Sequence, residues 1–487
     1  MFPMFRQREF FQDFANNTLP PDLIIVMMGL ALRASGQSED QSLLNEIKRI
    51  ERNLEKKDLD YRNILLSEIK LACLCIIHQF ASGPNQYTWM VMGKLARTVY
   101  GCKLHQVDGG NGSSSGSSSG SEGAAHPYFP LASLEELRYV WWTAVRIDMF
   151  INVLTCMPCT LDVETAATSL PCTSVSDFTT GVEPDMSLKH IPRTNMIAFW
   201  DLLEEAHSAP LADGQRLQLA MCLLLRETTR RLQVILSDIE DPSLETGIAG
   251  IQNKCTKICE VLPAWFLDPQ LASQSYETMI QHRTRLETIL QLRLCCMYSY
   301  VPLMCALNER EPNSHGKLVN LWDQFVLHLL AAVDIIRAMP ASYYSICDPM
   351  MSSGVWILGC VLSLCMMYKA HIVPAIGTQA SVTRAEMETG FQALMDTLVG
   401  FAKMWPTARK MRESLESVRG WHDLPLSLDE VLKLFGRFQT PLPIHNVDAA
   451  SPETIYDFDV LGTCKVSLEK DIVTDPQLQQ QEWWPIQ

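Results

Sequence analysis

The sequence predicts an all-α fold, built as one large, irregular multi-helix domain. Apolar residues recur at spacings of three and four along almost every long segment, whereas the alternation typical of strands is scarce. The chain has 487 residues, of which 47% are hydrophobic, so it can bury a large core. It contains no repeat of fixed period, which argues against a regular solenoid.

The helical pattern is clearest in ten segments: residues 22–34, 61–82, 87–104, 131–156, 213–240, 273–309, 314–338, 351–370, 383–404 and 427–438. Three helix starts fit a capping box, in which a Ser or Thr and a Glu three residues later bond to each other's backbone amides: Ser133 with Glu136, Thr383 with Glu386, and Ser427 with Glu430. Pro302 lies inside the sixth helix, and we expect it to kink that helix.

Two segments depart from the helical pattern. Residues 108–125 form a Gly/Ser-rich run that cannot bury anything, which predicts a flexible inserted loop. Residues 440–487 contain eight acids and two lysines, with a few bulky residues interspersed, which is typical of a disordered acidic-hydrophobic tail. We therefore predict one helical domain over residues 1–439, interrupted by the loop at 108–125, followed by the tail.

The net charge and the cysteine content narrow the class of protein and the compartment in which it acts. The formal net charge is −15 and the pI about 5.2, so the chain is a poor candidate for binding DNA by itself. The sixteen cysteines follow no disulfide framework, which predicts a reducing compartment, the cytosol or the nucleus. The N-terminus lacks the order of a signal peptide. The apolar run at 355–368 is shorter than the roughly 20 residues of a membrane span, so we expect a buried core helix and no membrane contact.

The sequence predicts no catalytic, metal or cofactor site. Residues 112–116 match the spacing of a nucleophile elbow, but they lie in low-complexity sequence without a strand before or a helix after. Cys156 and Cys159 form a Cys-x-x-Cys pair, but no second close pair follows to complete a zinc site. Cys255 and Cys259 share one helix face, and a lone pair of this kind is a weak metal signal. We therefore expect a chain that is not an enzyme and holds no cofactor.

One helix, which contains the stretch ELRYVWWTAVRIDMF over residues 136–150, carries the most distinctive residues. Trp141 and Asp148 fall on one apolar stripe of this helix, and Trp142 lies beside it. A buried carboxylate needs a partner, so Asp148 is either a catalytic acid with a raised pKa or a structural group. No companion nucleophile, histidine or carboxylate follows from local spacing. We therefore predict that the tryptophans pack the centre of the domain and that Asp148 pairs with an arginine or a helix N-terminus.

Residues 139–164 resemble the signature of the fungal-specific transcription factor domain, also called the middle homology region. That signature combines a basic residue, paired tryptophans, an aspartate, a proline turn and a Leu-Pro: here Arg138, Trp141, Trp142, Asp148, Pro158 and Leu170-Pro171. Further blocks are similar to the family's pattern: an opening helix over residues 19–36, an upstream helix with Trp89, Gly93, Leu104 and His105, a long helix over residues 290–308, and Trp405 with Pro406 late in the chain. The resemblance covers about residues 1–420. The 487 residues include neither the family's cluster of six zinc-binding cysteines nor the Arg-Pro that often ends its long helix.

The resemblance implies a transcription-regulatory domain that acts in the nucleus through effector sensing and protein contacts, with no DNA-binding module in this chain. The partners it implies are the transcription machinery or a coactivator, a homo- or heterodimer partner, and a small apolar metabolite. In the tail, Phe458, Trp483 and Trp484 stand among acids, and we predict that they contact a coactivator.

An alternative stays open: a stand-alone helical protein that binds another protein or an apolar ligand and thereby modulates a partner regulator. Leu43, Ile47, Ile50 and Leu54 have heptad-like spacing over less than two heptads, so we expect a solvated helix rather than a coiled coil. The 23 methionines can line an apolar pocket or simply fill a core.

Overall fold

The structure, a computed structural model, describes the following residues: 3–57, 63–83, 86–109, 126–155, 157–182, 214–237, 244–271, 277–311, 315–368, 383–419, 426–437, 444–445 and 455–456. These residues form sixteen α-helices and one pair of two-residue strands, which confirms the all-α prediction. The predicted coactivator contacts Phe458, Trp483 and Trp484 lie outside the described residues, as does most of the Gly/Ser run.

The first seven helices are α1 Gln7–Ala15, α2 Pro21–Ala34, α3 Gln41–Lys56, α4 Leu66–Ser82, α5 Gln86–Gly101, α6 Leu134–Thr155 and α7 Val175–Thr180. The next nine are α8 Gly214–Ser237, α9 Leu244–Val261, α10 Ala264–Leu267, α11 Met279–Arg310, α12 His315–Ala338, α13 Met351–Met367, α14 Arg384–Ala402, α15 Pro406–Arg419 and α16 Leu428–Arg437. Short 3₁₀ turns cover Leu104–Gln106 and Ala341–Tyr343. Strands β1, Ile444–His445, and β2, Ile455–Tyr456, pair antiparallel with Ile444 opposite Tyr456.

Helix α11 is the longest helix of the described chain, and it packs most extensively against α8 and α12. Helices α13, α14 and α15 pack on one another, and α4 contacts α2, α5, α6 and α15. Gly359 of α13 lies so close to Leu415 of α15 that any Cβ at this position would clash with the leucine side chain. One contiguous hydrophobic core runs from Met4 to Phe435 and joins all of these layers.

Of the three capping boxes predicted from the sequence, two form completely and one forms in part. Two predicted boxes form with both of their bonds, at Thr383 with Glu386 and at Ser427 with Glu430. At Ser133 the hydroxyl accepts the Glu136 amide at 3.1 Å, while the carboxylate of Glu136 pairs with Lys70 at 2.5 Å. Helix α11 begins with a further box, formed by Thr278 and Gln281, which was not predicted from the sequence.

The expectation that helix α3 is solvated was wrong. Its predicted stripe faces the protein's own core: Ile47 and Ile50 are buried, and α3 packs on α2 and α4. Asp40 caps its start by accepting the Leu43 amide at 2.7 Å. The heptad-like spacing here corresponds to a contact within the chain. An apolar stripe on a helix can be buried against another chain or against the protein's own core, and the spacing is the same in both cases.

Helices α11 and α12 are long and apolar enough to cross a membrane by length and composition alone. Within this fold, 83% of the apolar window of α11 and 44% of that of α12 are buried against protein. Helix α13, the apolar segment predicted to be a core helix, is 17 residues long and nearly all of it is buried. Helix α11 continues on both sides of Pro302, the residue predicted to kink it.

Candidate functional site around helix α6

Helix α6 runs through the centre of the protein, and most of its 22 residues are buried. The buried set includes four charged side chains: Glu135, Arg138, Arg146 and Asp148. Each of these charges must be paired or hydrogen-bonded, because an isolated charge in an apolar interior is costly. Their partners come from distant parts of the chain, so α6 organises much of the fold.

The two tryptophans of α6 contact different segments. Trp141 is 0% exposed, and its ring packs against Tyr100 and His105, with centroid distances of 6.0 and 6.3 Å. Trp142 is 2% exposed, and its Nε1 donates to the Ser169 carbonyl at 2.8 Å. Adjacent helix positions point about 100° apart, so one tryptophan faces the end of α5 while the other anchors the segment that precedes α7.

The first polar group ties the N-terminal end of α6 to the residues after α5. Arg138 forms a two-pronged ion pair with Asp108, with Nη2–Oδ1 at 2.5 Å and Nε–Oδ2 at 3.1 Å. Its Nη1 donates to Glu135 Oε2 at 3.0 Å, and Asp108 also accepts the Ser169 amide at 2.7 Å. Burial raises the pKa of Asp108, but the hydrogen bonds and charge of Arg138 lower it by more, so this carboxylate stays ionised.

The same group of side chains holds the segment that contains the predicted Leu-Pro element. Glu135 Oε1 accepts the backbone amides of Cys172 at 2.6 Å and Thr173 at 2.7 Å. Arg216 of α8 donates from Nε to the Pro171 carbonyl at 2.9 Å. The backbone of this irregular segment therefore bonds to buried side chains instead of to a helix or strand.

Asp148 holds the turn that follows α6. Its carboxylate accepts the Thr160 amide at 2.9 Å, the Thr160 hydroxyl at 2.8 Å and the Leu161 amide at 2.9 Å, and Arg226 donates to the Leu161 carbonyl. Burial raises the pKa of Asp148, while these hydrogen bonds and Arg226 act in the opposite direction. The main partners of Asp148 are thus amides of a non-helical turn, rather than the arginine or helix N-terminus that we predicted.

Pro158 lies in that same turn. Its carbonyl lies 3.5 Å from Trp89 Nε1, which donates to it from α5. The upstream and central blocks of the sequence pattern therefore meet in space. Trp405 and Pro406 lie elsewhere, at the corner between α14 and α15, where Trp405 is fully buried and Pro406 opens α15.

We expect Asp148→Ala to lower the free energy of unfolding by about 1–3 kcal/mol, because it leaves buried amides without an acceptor. Asp148→Asn should cost less, since the Asn carbonyl can still accept one of them. Urea denaturation followed by circular dichroism measures both losses. The surface variant Asp334→Asn, at a side chain that is 54% exposed, is the control and should change little. Equal stability of Asp148→Ala and the unaltered protein would contradict this role.

A buried group of charges joins α6 to α8, to α11 and to the turn before α13. Arg146 Nη2 lies 3.4 Å from Glu287 Oε2 and 3.6 Å from Asp348 Oδ2. Gln218 accepts from Arg146 Nη1 at 3.5 Å and donates to Glu287. Asp348 Oδ1 also accepts the Met350 amide at 2.9 Å. Each of these four interacting side chains is more than nine-tenths buried.

The opposite charges of Arg146 and Asp348 shift each other's pKa values towards the ionised forms. Burial lowers the pKa of Arg146, but the charges of Asp348 and Glu287 raise it by more, so the guanidinium stays charged. Burial also raises the pKa of Asp348, and the charge of Arg146 opposes that shift. These residues were not predicted from the sequence. The available signal was the presence of Arg146 and Glu287 within otherwise apolar helical runs.

An apolar cavity lies beside the C-terminal end of α6. Within it, about 30 Å³ can be occupied by the centres of water-sized molecules. Its walls come from α6, α11, α12, α13 and α16, and include Leu154, Met297, Val301, Phe325, Trp356 and Phe435. The cavity can accommodate a small apolar group.

A further polar cluster lies where α11 meets α12. His328 Nδ1 lies 3.4 Å from Arg293 Nη1, and its ring stacks on Tyr300 with a centroid distance of 5.7 Å. Burial, and then the charge of Arg293, lower the pKa of His328 to about 4. The folded protein therefore keeps His328 neutral at a pH where an ordinary histidine is protonated.

His328 should make the fold sensitive to acid. Between pH 6.5, the ordinary value, and about pH 4, the unfolded chain binds a proton that the folded chain does not, so stability is lost as the pH falls through this window. We expect His328→Gln to lose less stability than the unaltered protein between pH 7 and pH 5. Urea denaturation at both pH values measures this, and identical losses would contradict it.

The arrangement around α6 holds backbone segments and charges in place. Within the described part of the chain, no group of three His, Cys, Asp or Glu side chains is placed to hold a metal ion. Comparisons with family models, with curated proteins and with solved structures each find no match to this chain. The fold and the site define the protein as an all-helical scaffold organised by one buried, charge-bearing helix.

Proposed function

We propose that this chain is the regulatory body of a fungal transcription factor, which controls gene expression through effector sensing and protein contacts. The observation that carries the proposal is the meeting of separate sequence blocks around α6. Trp89 bonds to Pro158, and His105 packs on Trp141. These residues belong to the blocks that resemble the middle homology region, and their contacts in space support the proposal.

We propose that the protein is not an enzyme. The buried acids of α6 bond to arginines and to backbone amides, which is the pattern of groups that hold a fold together. A general acid or nucleophile instead needs to reach a substrate. We place the protein in the nucleus, with the transcription machinery or a coactivator as its partner, and with contact to DNA left to another module.

A tethering assay tests this function. The full chain is fused to an unrelated DNA-binding domain in a fungal reporter strain, beside a fusion of residues 1–439 that lacks the tail. We expect the full fusion to change reporter output, and deletion of the tail with Phe458, Trp483 and Trp484 to remove activation. Reporter output equal to that of the DNA-binding domain alone, at equal protein level, would contradict the proposal.

The cavity beside α6 favours a second candidate, an apolar-ligand-binding protein that modulates a partner regulator. Filling it with Val361→Phe should abolish binding of xenon, a small apolar probe, whereas Leu327→Phe on the exposed face of α12 should not. Binding that is absent from the unaltered protein, or unaffected by Val361→Phe in a folded variant, would count against this candidate.

A further inference from the structure

Helix α1 turns an apolar face to solvent. Phe10, Phe11 and Phe14 lie within an arc of about 100° on this helix, and none of its nine residues, all of them described, is buried. Phe11 is 57% exposed and Phe14 is 52% exposed. Phe10 and Phe11 pack edge to face with a centroid distance of 5.8 Å, and Phe14 follows one turn later. We call these three residues the aromatic face of α1.

The segment before α1 fixes the helix to the body of the protein. Met4 is fully buried, and Arg6 Nη2 donates to Ser133 Oγ at 2.9 Å. The Arg6 guanidinium also lies over the ring of Phe178 at 5.7 Å, in helix α7, against which α1 packs. The aromatic face is therefore presented on a helix that is already formed and held, which lowers the entropic cost of binding.

The fold makes little use of the aromatic face. Among the described residues, Phe5 packs against the hydrophobic core, whereas the three rings of the aromatic face are not among the side chains in contact with it. Phe10 contacts Phe5 at 5.6 Å, so the exposed rings continue from the edge of the core into solvent. A contiguous apolar patch of this kind is typical of an interaction site, and aromatic residues are enriched at the centres of protein interfaces.

The size of the aromatic face argues for a groove on a partner and against a second copy of this chain. Two half-exposed phenyl rings offer roughly 200 Å² of apolar area, so symmetric pairing of two such faces would bury roughly 400 Å². A stable interface between proteins buries about 1,200–2,000 Å². A helix that enters a groove is instead covered on several sides, and a few aromatic anchors in pockets then carry most of the binding energy.

Charge indicates the chemistry of that groove. The formal net charge of −15 gives the chain a negative field, and α1 itself carries the acids Glu9 and Asp13 against the base Arg8. Glu9 pairs with Arg6 at 3.3 Å, yet its side chain stays 55% exposed. A basic rim on the partner complements this field. Anionic lipids would repel it, and α1 lacks the basic polar face of helices that lie on membranes.

We propose that the aromatic face of α1 docks into an apolar, helix-binding groove of another protein, and that Lys or Arg side chains line the rim of that groove. Phe11 and Phe14 are the anchors that enter its pockets, while Phe10 packs at the edge of the contact. This surface does not depend on the role that we propose in transcription, and it is separate from the tail.

The first test titrates the purified full chain with a designed protein that carries an apolar helix-binding groove. Two versions of this probe differ only at the rim of the groove, which carries lysines in one and glutamates in the other. We expect isothermal titration calorimetry to show binding at least about tenfold tighter for the lysine version. No binding to the lysine version, or equal affinity for the two, would overturn the proposal.

A double variant identifies the anchors. Phe11→Ser with Phe14→Ser should weaken binding of the lysine version at least about tenfold. The thermal unfolding midpoint should stay unchanged, because neither ring packs against the core. Leu327→Ser is the matched control, since it removes an apolar side chain that is 46% exposed on α12, and it should bind as the unaltered protein does. Unchanged binding by the double variant, or an equal loss in the control, would overturn the proposal.

Two further measurements test the other occupants. Light scattering reports the oligomeric state, and co-sedimentation with phosphatidylserine vesicles reports lipid binding. We expect the unaltered protein and the double variant to behave alike in both. A dimer that the double variant dissociates would assign the aromatic face to a second copy of the chain, and vesicle binding that the double variant loses would assign it to a membrane. Either result would overturn the proposal.

Discussion

Replacing Arg146 by methionine should lower the free energy of unfolding by about 3–5 kcal/mol. The substitution leaves the Asp348 carboxylate buried without its paired cation and removes one of the two arginines that pair with Glu287, the other being Arg283 at 3.5 Å, while methionine roughly preserves the volume of the side chain. Charge, rather than packing, therefore carries the expected loss. The free energy of unfolding from urea denaturation measures it.

Two further variants identify the cause of this loss. The double variant Arg146→Met, Asp348→Asn removes the unpaired carboxylate and keeps Glu287 paired with Arg283, so we expect it to recover most of the lost stability. Arg337→Met at the surface breaks a pair with Asp334 and should cost less than about 1 kcal/mol. A double variant as unstable as the single one would show that the charges are not responsible.

Trp141→Ala should lower the free energy of unfolding by about 3–5 kcal/mol, because it removes a fully buried ring and leaves a cavity. The rings of Tyr100 and His105 lose their neighbour, so the end of α5 loosens as well. Trp141→Phe should retain part of the stability, since a smaller aromatic ring still fills some of the space. Thermal and urea denaturation report the ordering of the three proteins.

Trp89→Ala is the matched control for this prediction. Trp89 is only partly buried, and its bond to Pro158 is long at 3.5 Å, so its removal should cost clearly less than that of Trp141. Equal losses for the two tryptophans would contradict the central position of Trp141.

Local spacing was enough to predict the features of α6 that depend on a single helix. The apolar stripe that holds Trp141 and Asp148 follows from helical geometry, and both residues are buried as that stripe requires. The partner of Asp148 could not be predicted from this local spacing. It is a turn formed by Thr160 and Leu161, and no capping signature distinguishes the amides of such a turn.

The spacing of residues along the chain could not predict which distant side chains pair with each other. Glu287 meets Arg146 from 141 residues further along the chain, so nothing local links them. Helix α15 was missed for a different reason. Its sequence is rich in charge, and only four apolar residues at helical spacing, Ala408, Met411, Leu415 and Val418, mark the face that it buries.

The buried side chains of α6 hold the irregular segments around it as firmly as helices are held. Native-state hydrogen exchange tests this directly. Most loop amides exchange fast because they open locally at little cost. The amides of Thr160, Leu161, Cys172 and Thr173 instead bond to buried carboxylates, and that of Ser169 bonds to the partly buried Asp108.

We predict that these five amides exchange as slowly as amides in the middle of α6 and α11, and that Asp148→Ala speeds exchange at the first two only. Fast exchange at all five in the unaltered protein, typical of an open loop, would contradict the claim that α6 organises this fold.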